Sequence, residues 1–124
     1  MGKCVMSGIR EFSIFEYLYR DAGNWKTWGR LLLEGTPTAN EIISLHASFE
    51  SGEFFMAEQL GIPTLFQEFR AQYGEPTRDD HPWHEFAGVR PATQAEISQG
   101  PIWGTIQSLI ERASSIETWE ELGR

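Results

Sequence analysis

Cysteine is nearly absent: Cys4 is the only one in 124 residues, so no internal disulfide can form and a reducing cytosol is the simplest compartment. No apolar run approaches the roughly 20 residues that a membrane span needs. The opening "MGKCVMSGIREF" is too polar and interrupted for a secretory leader, and Met6 stands where a myristoylation signal needs Ser or Thr. There is no internal repeat, no low-complexity tract and no linker long enough to divide domains. Positive charge is scarce as well: 10 Lys and Arg face 18 Asp and Glu, a net charge of −8. Such a chain is repelled by phosphate backbones and anionic lipid, which makes duplex DNA and membranes poor partners and a basic protein surface a better one. The expectation is a cytoplasmic protein.

The established catalytic signatures are missing too. The sequence holds no HExxH, no H-x-E with P-C-x-x-C, no paired cysteines, no G-x-S-x-G elbow and no phosphate loop. Cys4 sits near a terminus, without the fixed electropositive setting that a nucleophilic thiol needs.

What is present fits one domain over residues 1–124, with 1–8 as a loose extension and Met6 as an alternative start. Forty per cent of the residues are hydrophobic and 13% aromatic, enough for one core. "IREFSIFEYLYRD" sets Phe12, Ile14 and Leu18 on one face of an extended chain and Phe15, Tyr17 and Tyr19 on the other, a strand covered on both sides or on one side plus a ligand. "DAG" supplies turn chemistry, and "NWKTWGRLLLE" returns with Trp25, Thr27, Leu31 and Leu33 on one side. A β-hairpin over about 9–34 is expected. Thr38 and Glu41 form a capping box before a helix carrying Ile42, Leu45 and Phe49. "EFFMAEQLG" reads as a second short helix, and Pro63 opens a third with Leu65, Phe66, Phe69 and Tyr73 inward. "HEFAGVRP" reads as one more strand, closed by Pro91. Residues from Thr93 turn helical again, and Pro101 opens a helix carrying Ile102, Trp103, Ile106, Leu109, Ile110 and Ala113. The fold expected is α+β: a small antiparallel sheet, the N-terminal hairpin plus a short later strand, packed by three to four helices.

Two strings carry a resemblance. "YRDAGNWKTWG" at 19–29 and "DDHPWHEF" at 79–86 resemble segments, YRDAxNYKxxG-like and DHxWHEF-like, shared by a group of small uncharacterised bacterial proteins. "FFMAEQLGIPTL" between them matches loosely. Trp25 stands where the pattern has Tyr, and Pro82 lies between His81 and Trp83. The resemblance implies a bacterial or phage cytoplasmic protein of this size. It brings no activity to any residue.

Two constellations could carry chemistry. In "RDDHPWHEF", Asp79, Asp80, His81, His84 and Glu85 offer five ligand groups within seven residues. Zinc or manganese needs three or four of these converging, which here requires a tight turn at Pro82; the metal candidates are Asp79, Asp80, His81 and His84, with His46 as an extra ligand from the first helix. As an enzyme site, the loop would use His84 as general base, oriented by Asp80, with His81 and Glu85 beside them, in a metal-assisted hydrolase. The plainer reading makes the bend a tether in which Trp83 is the buried anchor and one histidine holds the loop to the hairpin. The second constellation is the aromatic and basic hairpin, Tyr17, Tyr19, Trp25 and Trp28 interleaved with Arg20, Lys26 and Arg30. That composition suits a core, a protein hot spot or a platform for single-stranded nucleic acid.

Residues 1–30 set five cations against three carboxylates, a balance of +2 that leaves −10 on the remainder. The function expected is therefore a small acidic protein-binding module, immunity-, antitoxin- or inhibitor-like, that covers a basic partner with its acidic helices. An enzyme is the lesser expectation, no cofactor is required although the bend could take a divalent metal, and a homodimer is compatible with the chain.

Overall fold

The computed structural model describes residues 11–74 and 81–120. The expected loose extension over 1–8 and the candidate residues Asp79 and Asp80 lie outside the described residues.

Strand β1 (Phe12–Arg20) returns antiparallel as β2 (Lys26–Glu34), in register from Phe12 opposite Glu34 to Arg20 opposite Lys26. Asp21 makes the turn, its carboxylate accepting from Trp25 N at 2.9 Å, while Asn24 takes a positive φ of 70°. Ile14, Phe15, Tyr17, Leu18 and Tyr19 are all buried, so β1 is covered on both faces as its two apolar parities predict.

The chain then lays down α1 (Ala39–Ser48), with its Thr38–Glu41 capping box, and the two-residue β3 (Phe54–Phe55). Next come α2 (Ala57–Leu60), α3 (Phe66–Tyr73), β4 (His84–Pro91) and α4 (Gln94–Gln99). The last described elements are β5 (Ile102–Thr105) and α5 (Ile106–Ser114). The strands form one sheet in the order β3-β4-β1-β2-β5.

The α+β class is as expected, and the sheet is larger and of different sense. It has five strands, and it is mixed, because β5 runs parallel to β2. "EFFMAEQLG" divides: Phe54 and Phe55 pair with Glu85 and His84 as a strand, leaving only Ala57–Leu60 helical. Ile102 and Trp103 are likewise strand, pairing alongside Leu32, and α5 starts only after Thr105, whose hydroxyl accepts from Ser108 N. In both places an adjacent strand satisfies the backbone and overrides a local pattern that fits either state.

Parity along the strands assigns the two faces. Phe15, Tyr17, Tyr19, Leu31, Leu33 and Phe86 face one way and meet Leu45 of α1, Ala57 and Leu60 of α2, Phe69 of α3 and Ile106, Leu109 and Ala113 of α5 in the main core. Phe15 stacks on Phe86 with ring centroids 5.1 Å apart. Gly29 makes the close approach of α3's entry possible, because a Cβ there would lie 2.7 Å from Leu65 Cδ2. The opposite, outer face carries Ile14, Glu16, Leu18 and Arg20 on β1, with Trp28, Arg30 and Leu32 beside them on β2. The β4–α4–β5 connection passes two strands, and α4 comes down on this outer face, where Glu96 meets Arg30 and Arg90.

Candidate functional site

The histidine bend enters β4 at the inner face. His84 lies opposite Tyr19 in the β1–β4 ladder and is fully buried. Its Nε2 accepts from Leu65 N–H at 3.0 Å, so the proton of the neutral ring sits on Nδ1. That Nδ1 is the only buried side-chain nitrogen or oxygen without a hydrogen-bond partner among the described residues. Burial drives the ring down to a pKa of about 4; the Pro82 backbone pulls the other way, and His81 adds to the depression. His84 is therefore neutral at pH 7, shut away from water, and committed to holding α3's entry.

His81 ends in a different role. Its Nδ1 accepts from Trp83 N at 3.1 Å, and its carbonyl accepts from the Tyr19 hydroxyl at 2.7 Å. The rings of His81 and His84 each approach Tyr19, at 5.4 Å. Glu85 points to the outer face and grips Arg20 with both oxygens, at 2.8 and 3.2 Å. His46 is held elsewhere, on α1, where Nδ1 donates to the Gly52 carbonyl at 2.8 Å and the ring meets Phe86. Among the described residues no three His, Cys, Asp or Glu side chains come together as a metal site.

The nitrogen that a general base at His84 would use already accepts the Leu65 backbone proton inside the core. Trp83 is also not the anchor. It is only half-buried, and the bend is pinned by His84 and by the Tyr19–His81 bond. The signal that could have found this is register, since whichever histidine falls opposite an inward tyrosine must turn inward itself.

The hairpin constellation divides between the same two faces. Tyr17 and Tyr19 belong to the core; the Tyr17 hydroxyl donates to the Pro63 carbonyl at 2.7 Å, and burial with Glu68 nearby raises its pKa far above the ordinary value. Neither ring can stack on a ligand. Trp25 and Trp28 remain open, at 58% and 62% exposure. Trp25 lies against Tyr73, whose hydroxyl donates to the Lys26 carbonyl. Arg20 is paired with Glu85 and also bonded to Asn24. Arg30 reaches Glu96 at 3.3 Å, and Lys26 is half-buried.

Sequence reasoning missed the network on which this face is built. Arg90 links Glu16 at 3.0 Å to Glu96 at 2.7 Å, and the guanidinium of Arg90, with the Thr93 backbone, holds the Glu96 carboxyl down to about 2. Beside it, where β5 begins, a cavity of about 250 Å³ is lined by Ile14, Leu31, Leu32, Pro63, Pro101 and Trp103, together with Arg30 and Glu96.

Charge is segregated between the layers. The segments 36–73 and 106–120 hold Glu41, Glu50, Glu53, Glu58, Glu68, Glu111, Glu117 and Glu120 against only Arg70 and Arg112, a balance of −6. All the ion pairs among the described residues lie instead on the sheet's outer face. No helix of the described residues is long and apolar enough to cross a membrane. Compared with known proteins, the chain matches no family model, no curated protein and no solved structure.

Proposed function

We propose that the protein is a small binding module whose acidic helical layer covers a basic protein partner, in the manner of an immunity, antitoxin or inhibitor protein. The supporting observation is the charge segregation: apart from Glu53, which lies near Arg20, seven carboxylates face two arginines on the helical side, none in an ion pair among the described residues. Unneutralised charge on one layer steers encounter with an oppositely charged surface and raises association rates. Around Trp119, the ends of α1 and α5 frame a shallow cleft holding Glu50 and Glu117, a place for a basic side chain to seat. The buried, proton-depleted His84 gives no support to the competing hydrolase reading.

The test is salt-dependent capture of basic proteins from a bacterial lysate by the wild type and by a Glu50→Gln, Glu117→Gln, Glu120→Gln variant. The expected result is a discrete basic species, bound with a steep salt dependence and lost by the variant, whose melting temperature stays near that of the wild type. Retention of the same species by the variant would sink the proposal, as would capture of acidic proteins only.

A further inference from the structure

Among the described residues, part of the β2 strand has a free edge. Asp21 N bonds the Trp25 carbonyl and Gly35 N bonds the Glu11 carbonyl, so the odd-numbered residues of β2 direct their backbone groups at β1. The even-numbered residues direct theirs the other way. At Leu32 and Glu34 they meet β5, but β5 reaches no further, and from Lys26 to Arg30 the edge has no strand beside it among the described residues. Among the described residues only the Lys26 carbonyl is taken, by the Tyr73 hydroxyl. Trp28 and Arg30 present N–H and C=O outward, with both side chains exposed.

Uncovered edges are normally blunted, and the opposite side of this sheet is. There β3 covers the start of β4, and the remainder runs through Gly88, at φ +156°, to Pro91. The β2 stretch has neither proline nor bulge, and it carries a tryptophan at its centre. It is five residues long, about 16 Å at ~3.3 Å per residue. At its Arg30 end it opens onto the cavity of about 250 Å³, which is smaller than the roughly 300–1,000 Å³ of small-molecule sites and suits one apolar side chain.

We propose that this edge docks an extended acidic segment of a partner protein, which adds as a sixth strand beside Lys26–Arg30 and places one apolar side chain in the cavity next to Pro101. Charge complementarity selects the occupant. Lys26, Trp28 and Arg30 share the outer face, and Arg30, exposed and held by Glu96 only at 3.3 Å, can still meet a second carboxylate, so the matching strand carries carboxylates opposite the two cations and an apolar residue opposite Trp28. A second copy of this chain is disfavoured by the same rule, because symmetric antiparallel pairing about Trp28 sets Lys26 of one copy against Arg30 of the other. The proposal concerns a different surface from the acidic helical layer and stands or falls separately from it.

The probe is a capped heptapeptide, Val-Glu-Val-Phe-Val-Glu-Val, compared with its Lys-for-Glu counterpart and with a version N-methylated at alternate amides. Binding is read by tryptophan fluorescence and by amide exchange at Trp28 and Arg30. The acidic peptide should bind at least tenfold more tightly than the basic one and slow exchange at both amides. N-methylation on the pairing edge should abolish binding, and Lys26→Glu with Arg30→Glu should reverse the peptide preference. Equal binding of all three peptides would overturn strand addition, as would no binding at millimolar concentration. Concentration-dependent dimerisation that masks the same two amides would hand the edge to a second copy, and displacement of the peptide by single-stranded oligonucleotide would hand it to nucleic acid; either result overturns the proposal.

Discussion

Tyr19 and Trp28 sit one strand apart in the same sheet, and they lead opposite lives. The tyrosine faces inward at 3% exposure with its hydroxyl bonded to the His81 backbone, whereas the tryptophan faces outward at 62%. The division holds for whole faces. Inward polar groups are neutral and give their hydrogen bonds to backbone: Tyr17 to Pro63, Tyr19 to His81, and His84 receiving from Leu65. Outward polar groups are charged and, Lys26 apart, pair with one another among the described residues, from Arg20–Glu85 to the Glu16–Arg90–Glu96–Arg30 chain. The inner face spends polar atoms on fixing loops, and the outer face keeps its charge in water. Mutations should therefore weigh very differently on the two sides.

The largest effect is expected at His84. Replacing it with alanine leaves the Leu65 N–H without its acceptor and opens a void in the core, at a cost of about 3–5 kcal/mol. Trp28→Ala, on the other face, should cost under about 1 kcal/mol. Chemical denaturation of the two variants measures the contrast, and comparable losses would erase it.

Acid should separate the faces next. The folded pKa of His84, about 4, lies below its ordinary 6.5, so the unfolded chain takes up the proton first. Stability should fall as pH drops from about 6.5 toward 4, by on the order of 3 kcal/mol, and this loss should disappear in His84→Gln. The outer face has its own, lower window. Glu96, held at about 2, contributes stability that is present above its ordinary 4.5 and is lost as pH falls toward 2. Melting temperature followed from pH 7 to 2 should show two steps, with His84→Gln removing the upper one only.

How much of this was legible depended on whether the deciding contact was local. The hairpin, the Thr38 capping box and the double-faced burial of β1 follow from neighbouring residues, since each turns on a period of two or on a spacing of three. Phe54–Phe55 and Ile102–Thr105 could not be read as strands, because apolar runs that short fit either state until a partner strand arrives. The histidine bend looked like a ligand cluster for the same reason: His81, His84 and Glu85 are adjacent in sequence, but β4 sends His84 inward and Glu85 outward. The Arg90–Glu16 pair joins residues 74 apart and left no trace in either segment.

Smaller effects sharpen the comparison from within each face. Tyr17→Phe and Tyr19→Phe keep the rings and leave the Pro63 and His81 carbonyls unpaired, at about 1–2 kcal/mol each. Glu85→Gln, on the outer face, removes only a partly solvated ion pair, whose partner Arg20 is 35% exposed. Its cost should be under about 1 kcal/mol and should shrink further as salt screens the pair. The tyrosine losses should not respond to salt, because no net charge is involved. Urea titrations at low and high ionic strength distinguish the two kinds of bond: a salt-sensitive loss in Tyr19→Phe would mean that the inner face is held by charge after all, and a salt-independent loss in Glu85→Gln would mean that the outer pair acts by packing.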